Sequence, residues 1–168
     1  MPESGYIHQL NRSNGGVPKL PVAEAQLTET GLDGDRQRYK VFHGGPRRAL
    51  CLYSLEVIER LRAEGHPIYP GSAGENVTVA GLTWSRLAPG CRLALGDEVV
   101  VEITSYATPC RTIRGSFGEG QFKRISQKQH AGESRLYASV VRTGHLAVGQ
   151  TVRLLCGVGG VAAEEVEG

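Results

Sequence analysis

Apolar and polar positions alternate along most of this chain with the two-residue period of half-buried strands. Residues 6–10 (Tyr6-Ile7-His8-Gln9-Leu10) predict a first strand, and residues 22–29 a weaker second. Residues 48–53 read as a short, largely buried strand. Residues 75–80 alternate with Val77 and Val79 on one side, and residues 92–95 form a short apolar segment. The cleanest strand spans 98–104, with Val99, Val101 and Ile103 on one face. Residues 136–142 and 150–155 predict a closing pair of strands. A helical period appears once with conviction, after Ser54. There Leu55, Ile58 and Leu61 share a face and Glu56 sits in the first turn, where the helix dipole favours a negative charge. Ser54 is a good N-cap, Gly65 is placed to end the helix, and Pro67 lies just beyond. Residues 121–127 predict one or two helical turns. Residues 11–16, 31–36 and Gly96-Asp97 read as loops or turns. Many short strands with few helices predict a mainly β fold, a closed or partly open β-barrel.

Composition agrees with this picture. Glycine occurs 23 times and aromatics make only 6% of the chain, which suits turns and bulges better than long helices. A length of 168 residues predicts one domain, over 1–156, followed by a Gly/Ala/Glu-rich tail over 157–168 that reads as frayed. With 40% apolar and 21% charged residues, wholesale disorder is excluded. A net charge of +2 argues against a dedicated nucleic-acid binder. No run of apolar residues is long enough to span a membrane, and Met1-Pro2-Glu3-Ser4-Gly5 does not open a signal peptide. A cytoplasmic location with free thiols is therefore the expectation.

Four segments could carry chemistry. The four cysteines, Cys51, Cys91, Cys110 and Cys156, form no C-x-x-C pair, so a zinc knuckle or thioredoxin-type site is not expected. Cys110 follows the best strand, in Thr108-Pro109-Cys110-Arg111. Pro109 restricts the backbone that presents it, and Arg111 and Arg114 lie close in sequence. Positive charge favours the thiolate, which attacks electrophiles and binds soft metals; the alternative is a small buried core thiol. Cys51 lies in an apolar run and reads as core. The loop His43-Gly44-Gly45-Pro46-Arg47-Arg48 could approach an anion through its backbone and two arginines, or be a plain glycine turn. No Walker motif occurs. In Gly71-Ser72-Ala73-Gly74-Glu75-Asn76, Glu75 could accept from a ring N–H and Asn76 could read a heterocycle edge; equally, both could satisfy local backbone. From Arg111 to Arg135 there are six basic and two acidic residues, either an anion-facing loop or a solvated surface. His130 and His145 have no metal-type spacing and read as surface or turn residues.

Taken in order, Gly31-Leu32-Asp33-Gly34-Asp35-Arg36, His43-Gly44-Gly45, Gly71 to Asn76, Gly96-Asp97 and Pro109-Cys110 resemble the molybdenum cofactor sulfurase C-terminal (MOSC) domain family. The resemblance spans roughly Lys19 to Leu155. It implies a distorted β-barrel with a few peripheral short helices. It implies that Cys110 serves sulfur transfer or binds the metal of a molybdenum cofactor (molybdopterin). By the same likeness His43, Gly44, Gly45, Gly74, Glu75 and Asn76 line the pocket, and Arg36, Arg48 and Arg111 are candidate partners for the cofactor's oxygens. Many relatives carry an aromatic where Ala73 stands, which alters one wall. Pyridoxal phosphate is associated with the family, but the chain has no desulfurase domain to hold it.

Several activities follow as expectations. The first is a molybdenum-cofactor-dependent oxidoreductase, a reductase of hydroxylamine-type small molecules fed by an external electron donor. The second is a carrier of persulfide sulfur or of the cofactor, loaded by a sulfur donor protein. The third is an interaction domain with a vestigial pocket. A cysteine hydrolase would need a histidine base such as His43 beside Cys110.

Overall fold

A computed structural model describes residues 3–13, 16–35 and 46–155. Its eleven strands are β1 (Ser4–Arg12), β2 (Leu20–Val22), β3 (Glu24–Thr28), β4 (Gly31–Leu32), β5 (Leu50–Ser54), β6 (Val77–Ala80), β7 (Arg92–Leu95), β8 (Val99–Tyr106), β9 (Leu136–Arg142), β10 (Gly144–Ala147) and β11 (Thr151–Leu154). Seven of them close a ring in the order β1-β11-β7-β8-β9-β5-β6 and back to β1. β2 adds to the far end of β1, and β10, β3 and β4 form a small second sheet. The mainly β reading is right, and the barrel is closed rather than partly open.

The clearest strand behaves as its alternation predicts: Val99, Val101 and Ile103 are fully buried, with half-exposed residues between them. Two readings change. Residues 77–80 are buried at all four positions, not on one side only. β6 lies in the barrel wall with the helix α1 (Leu55–Ala63) packed against it and against β5, so both of its faces are covered. The predicted closing pair does not pair with itself. β9 pairs with β5 and β8, whereas β11 pairs with β7 and β1. β2 and β10 add to the predicted strands, and Gly31–Leu32, read as loop, pairs with β3.

All ring pairings are antiparallel except β5 with β6. A parallel pair needs a crossover, and α1 supplies it. Ser54 caps α1 by accepting from the Val57 N–H at 3.1 Å. Val57, Ile58 and Leu61 bury its inner face, each contributing about 1.5–3 kcal/mol. Gly65 follows with φ +103°, a conformation that suits glycine at a helix end. No helix among the described residues is long and apolar enough to cross a membrane.

Between β8 and β9 the chain makes a long excursion of short 3-10 turns at Arg111–Ser116, Gly118–Gly120 and Phe122–Ile125. The last falls within the predicted helical turns. Arg124 fastens this excursion to α1's C-terminal end. It grips Glu64 with two bonds, Nε to Oε1 at 3.0 Å and Nη2 to Oε2 at 2.7 Å, and Glu133 with a third at 2.6 Å. His66 accepts from the Gly118 N–H at 3.0 Å and stacks edge-on against Phe117.

Candidate functional site

Cys110 leaves the end of β8 by three intervening residues and opens the Arg111–Ser116 turn. Its backbone is extended (φ −136°, ψ 174°), its side chain is half-buried, and its Sγ lies 2.8 Å from Thr112 Oγ1. Pro109 before it is buried, so the thiol is presented from an anchored backbone, as Pro109 predicts.

The Gly71–Asn76 loop sits beside it. Ser116 Oγ donates to the Ser72 carbonyl at 3.1 Å and meets Ser72 Oγ at 2.9 Å, tying the cysteine-bearing turn to this loop. Gly71 has φ +91°, and a Cβ there would come within 2.7 Å of the Lys19 carbonyl, so glycine is required. Arg135 then bridges the two segments from behind. Its Nη1 donates to the Ala73 carbonyl at 3.0 Å and its Nη2 to the Thr108 carbonyl at 3.4 Å.

Glu75 and Asn76 are fully buried. Glu75 Oε2 accepts from the Gly71 N–H at 2.8 Å and from Thr78 Oγ1 at 2.9 Å. Burial pushes its carboxyl upward, against the opposing pull of those hydrogen bonds and of Arg135. Asn76 Oδ1 accepts from the Cys51 N–H at 2.9 Å, and its Nδ2 donates to Asp35 Oδ2 at 3.0 Å. Asp35 also binds Lys19 Nζ at 3.0 Å, with both side chains more than nine-tenths buried. Among the described residues two buried side-chain polar atoms have no hydrogen-bond partner: Glu75 Oε1 and Arg135 Nε.

Tyr137, on β9, connects the parts. The Arg48 guanidinium lies over its ring at 5.3 Å from the centroid. Burial pushes its phenol up to about 12; the charges of Cys51, Arg135, Arg48 and Cys110 all reach it. Cys51 is core, as read, and burial pushes its thiol up to about 11. Cys91 is disulfide-bonded, while Cys51 and Cys110 are free. That departs from the expectation of free thiols throughout. The expectation came from the absence of an export signal, which bears on compartment and not on which thiols meet in the fold.

The structure thus brings Cys110, Gly74, Glu75, Asn76 and Arg48 into one neighbourhood, with Arg111 exposed at the head of the turn. Arg36, His43, Gly44, Gly45 and Cys156 lie outside the described residues. Ala73 is fully buried and offers its carbonyl, not its methyl, to Arg135. His130 is exposed, and His145 pairs with Glu24 at 2.9 Å. Sequence reasoning missed Lys19, Asp35, Tyr137 and the bridging role of Arg135. Asp35 lay in a loop already singled out. Arg135 carried no signal beyond its share of the basic excess. Among the described residues no group of three His, Cys, Asp or Glu could hold a bare metal ion.

The MOSC domain family model matches residues 39–153. The chain is 32% identical over 142 residues to the uncharacterized protein YflK of Bacillus subtilis, covering 83% of this chain and 63% of that one. It is 31% identical over 154 residues to the protein YiiM of Escherichia coli, covering 89% and 67%. A Gibberella moniliformis protein named reductase is 30% identical over 131 residues, 75% of this chain and 23% of its own length. The chain therefore spans about two-thirds of its bacterial relatives. The crystal structure of YiiM from Escherichia coli matches with a TM-score of 0.68 at 26% identity, over 96% of this chain and 74% of that one.

Proposed function

The chain belongs to the MOSC domain family, and from that premise we propose that it holds a molybdenum cofactor at Cys110 and reduces hydroxylamine-type N-oxygenated compounds with electrons from an external donor. One observation carries the reading. A free, half-buried thiol lies two residues beyond Thr108, whose carbonyl the buried Arg135 holds, and Arg135 and the buried Glu75 each keep an unpartnered polar atom. An orphaned donor and an orphaned acceptor together suit a ligand edge that offers both kinds of group. A thiolate is a soft ligand, suited to a metal that brings its own organic chelate.

When bound, the cofactor supplies the redox chemistry, and the protein supplies ligation, orientation and a shaped site. Cys110 would hold the metal through Sγ. Glu75 Oε1 would accept from a ring N–H, with Asn76 fixing the loop from beneath. Gly74, at φ +86°, keeps the backbone free of a side chain there. Arg48 would pair with cofactor oxygens. Arg36 and the His43-Gly44-Gly45 loop belong to the same proposal by family likeness. The fungal relative's name, reductase, supports a reductive role for this fold.

The test is molybdenum and pterin content per chain after expression in a host that makes the cofactor, for wild type and Cys110→Ser. Near-stoichiometric metal in wild type, lost in Cys110→Ser, is the expected result. Wild type without metal or pterin would sink the reading. Sulfane sulfur on Cys110 in that preparation would instead make the protein a sulfur carrier.

A further inference from the structure

The basic excess between Arg111 and Arg135 is sorted by the fold. Arg124 is neutralised by Glu64 and Glu133. Arg135 is buried against two carbonyl oxygens. Arg111 and Arg114 are exposed and meet no carboxylate among the described residues. They stand three residues apart on a 3-10 turn, whose three-residue period places them on one side. That turn begins at Cys110. Arg48, over Tyr137, adds a further guanidinium that meets no carboxylate among the described residues. The acids of the neighbourhood do not offset this charge. Asp35 is bound to Lys19, and Glu75 is driven toward its neutral form by burial. Arg111 and Arg114, exposed on the turn that Cys110 opens and without a carboxylate partner among the described residues, make a positive site that lacks its counter-ion. A guanidinium fork matches a carboxylate or phosphate in two bonds at once.

We propose that Arg111 and Arg114 form an anion subsite beside Cys110 that takes a carboxylate or phosphate group of the substrate. The subsite makes the reaction selective for negatively charged molecules. This rests on the reading of Cys110 as the functional thiol. The same chemistry could be met by the cofactor's own phosphate, so the experiment has two arms.

In the first arm, purified cofactor-free protein is alkylated with iodoacetate and with iodoacetamide at low and high salt. Both reagents attack the same thiolate, so its population cancels in the ratio of rates. Cys51 is buried and Cys91 is disulfide-bonded, and Cys110→Ser gives the blank. The ratio, normalised to glutathione, is expected to be several-fold above one in wild type. It should fall toward one in Arg111→Gln/Arg114→Gln and in high salt, where screening weakens the attraction. A ratio indifferent to the two arginines overturns the subsite. Both side chains are exposed, so the variant keeps the fold, which circular dichroism checks.

The second arm measures molybdenum and pterin in Arg114→Gln, then KM for a hydroxylamine bearing a carboxylate and for a neutral one. Unchanged cofactor content with a raised KM for the anionic compound alone is the expected outcome. Loss of cofactor from Arg114→Gln assigns that arginine to the cofactor's phosphate and overturns the proposal. If wild type takes up no cofactor, the proposed function fails, while the alkylation arm still decides the subsite.

Discussion

At the scale of single residues, Glu75 is a costly group to bury. Its carboxyl is fully buried with one oxygen unpartnered, and its pKa is raised by that burial. The folded state therefore holds the proton at pH values where the unfolded chain has released it. Stability contributed this way is full below the ordinary carboxylate range and declines as pH rises toward the folded value. Glu75→Gln keeps an acceptor for Gly71 and Thr78 and removes the titration. Its unfolding free energy, from urea titrations between pH 4 and pH 8, is expected to decline less with pH than that of wild type. A parallel pair of curves would show that Glu75 does not change protonation there. The cost has a counterpart in the proposed site: a buried acceptor without a partner is where a ligand N–H gains most.

At the scale of elements, the segment that carries Cys110 depends on its attachments. Arg124 clamps it to the end of α1, and Ser116 clamps it to the Gly71–Asn76 loop. Glu64 is held below its usual pKa chiefly by the Arg124 hydrogen bond. The clamp is therefore intact above the ordinary glutamate range and loosens as pH falls through the lowered value. Arg124→Ala should cost about 1 kcal/mol globally, the scale of an exposed network pair. Amide exchange within 107–135 should accelerate more than in the barrel strands, and equal acceleration everywhere would refute a local clamp. Elements were legible where local pattern and final environment agree. The alternation of Val99, Val101 and Ile103 and the Ser54 cap both survive folding unchanged. Gly144–Ala147 was illegible because four residues with one strong apolar side chain carry no period. Cys110 stands out as a candidate in the sequence through Pro109 and its neighbouring arginines. Arg135, Lys19 and Asp35 were not legible, because their partners lie in other segments: Arg135 meets Ala73 62 positions away and Asp35 meets Asn76 41 positions away, contacts that exist only in the folded chain.

At the scale of the whole molecule, ring closure rests on close backbone approach. A Cβ on Gly5 would fall 2.0 Å from the Ala80 carbonyl oxygen, so β1 lies against β6 only because position 5 is bare. Gly5→Val is expected to lose about 2–3 kcal/mol by overpacking, lowering Tm by roughly 6–9 °C for a chain of this size. An unchanged Tm would mean the strand slides without cost. The seal itself joins β1 to β11 through three residue pairs, Ser4 with Arg153, Gly5 with Val152 and Tyr6 with Thr151. Ser4 and Arg153 lie 149 positions apart in the chain, so these partners are synthesised far apart in time. While a ribosome is still making the middle of this protein, β1 can find β6 but not β11, and β7 stays unpaired on one side. Shelter from other nascent chains, by a chaperone or by speed, is therefore needed until Leu154 has left the exit tunnel.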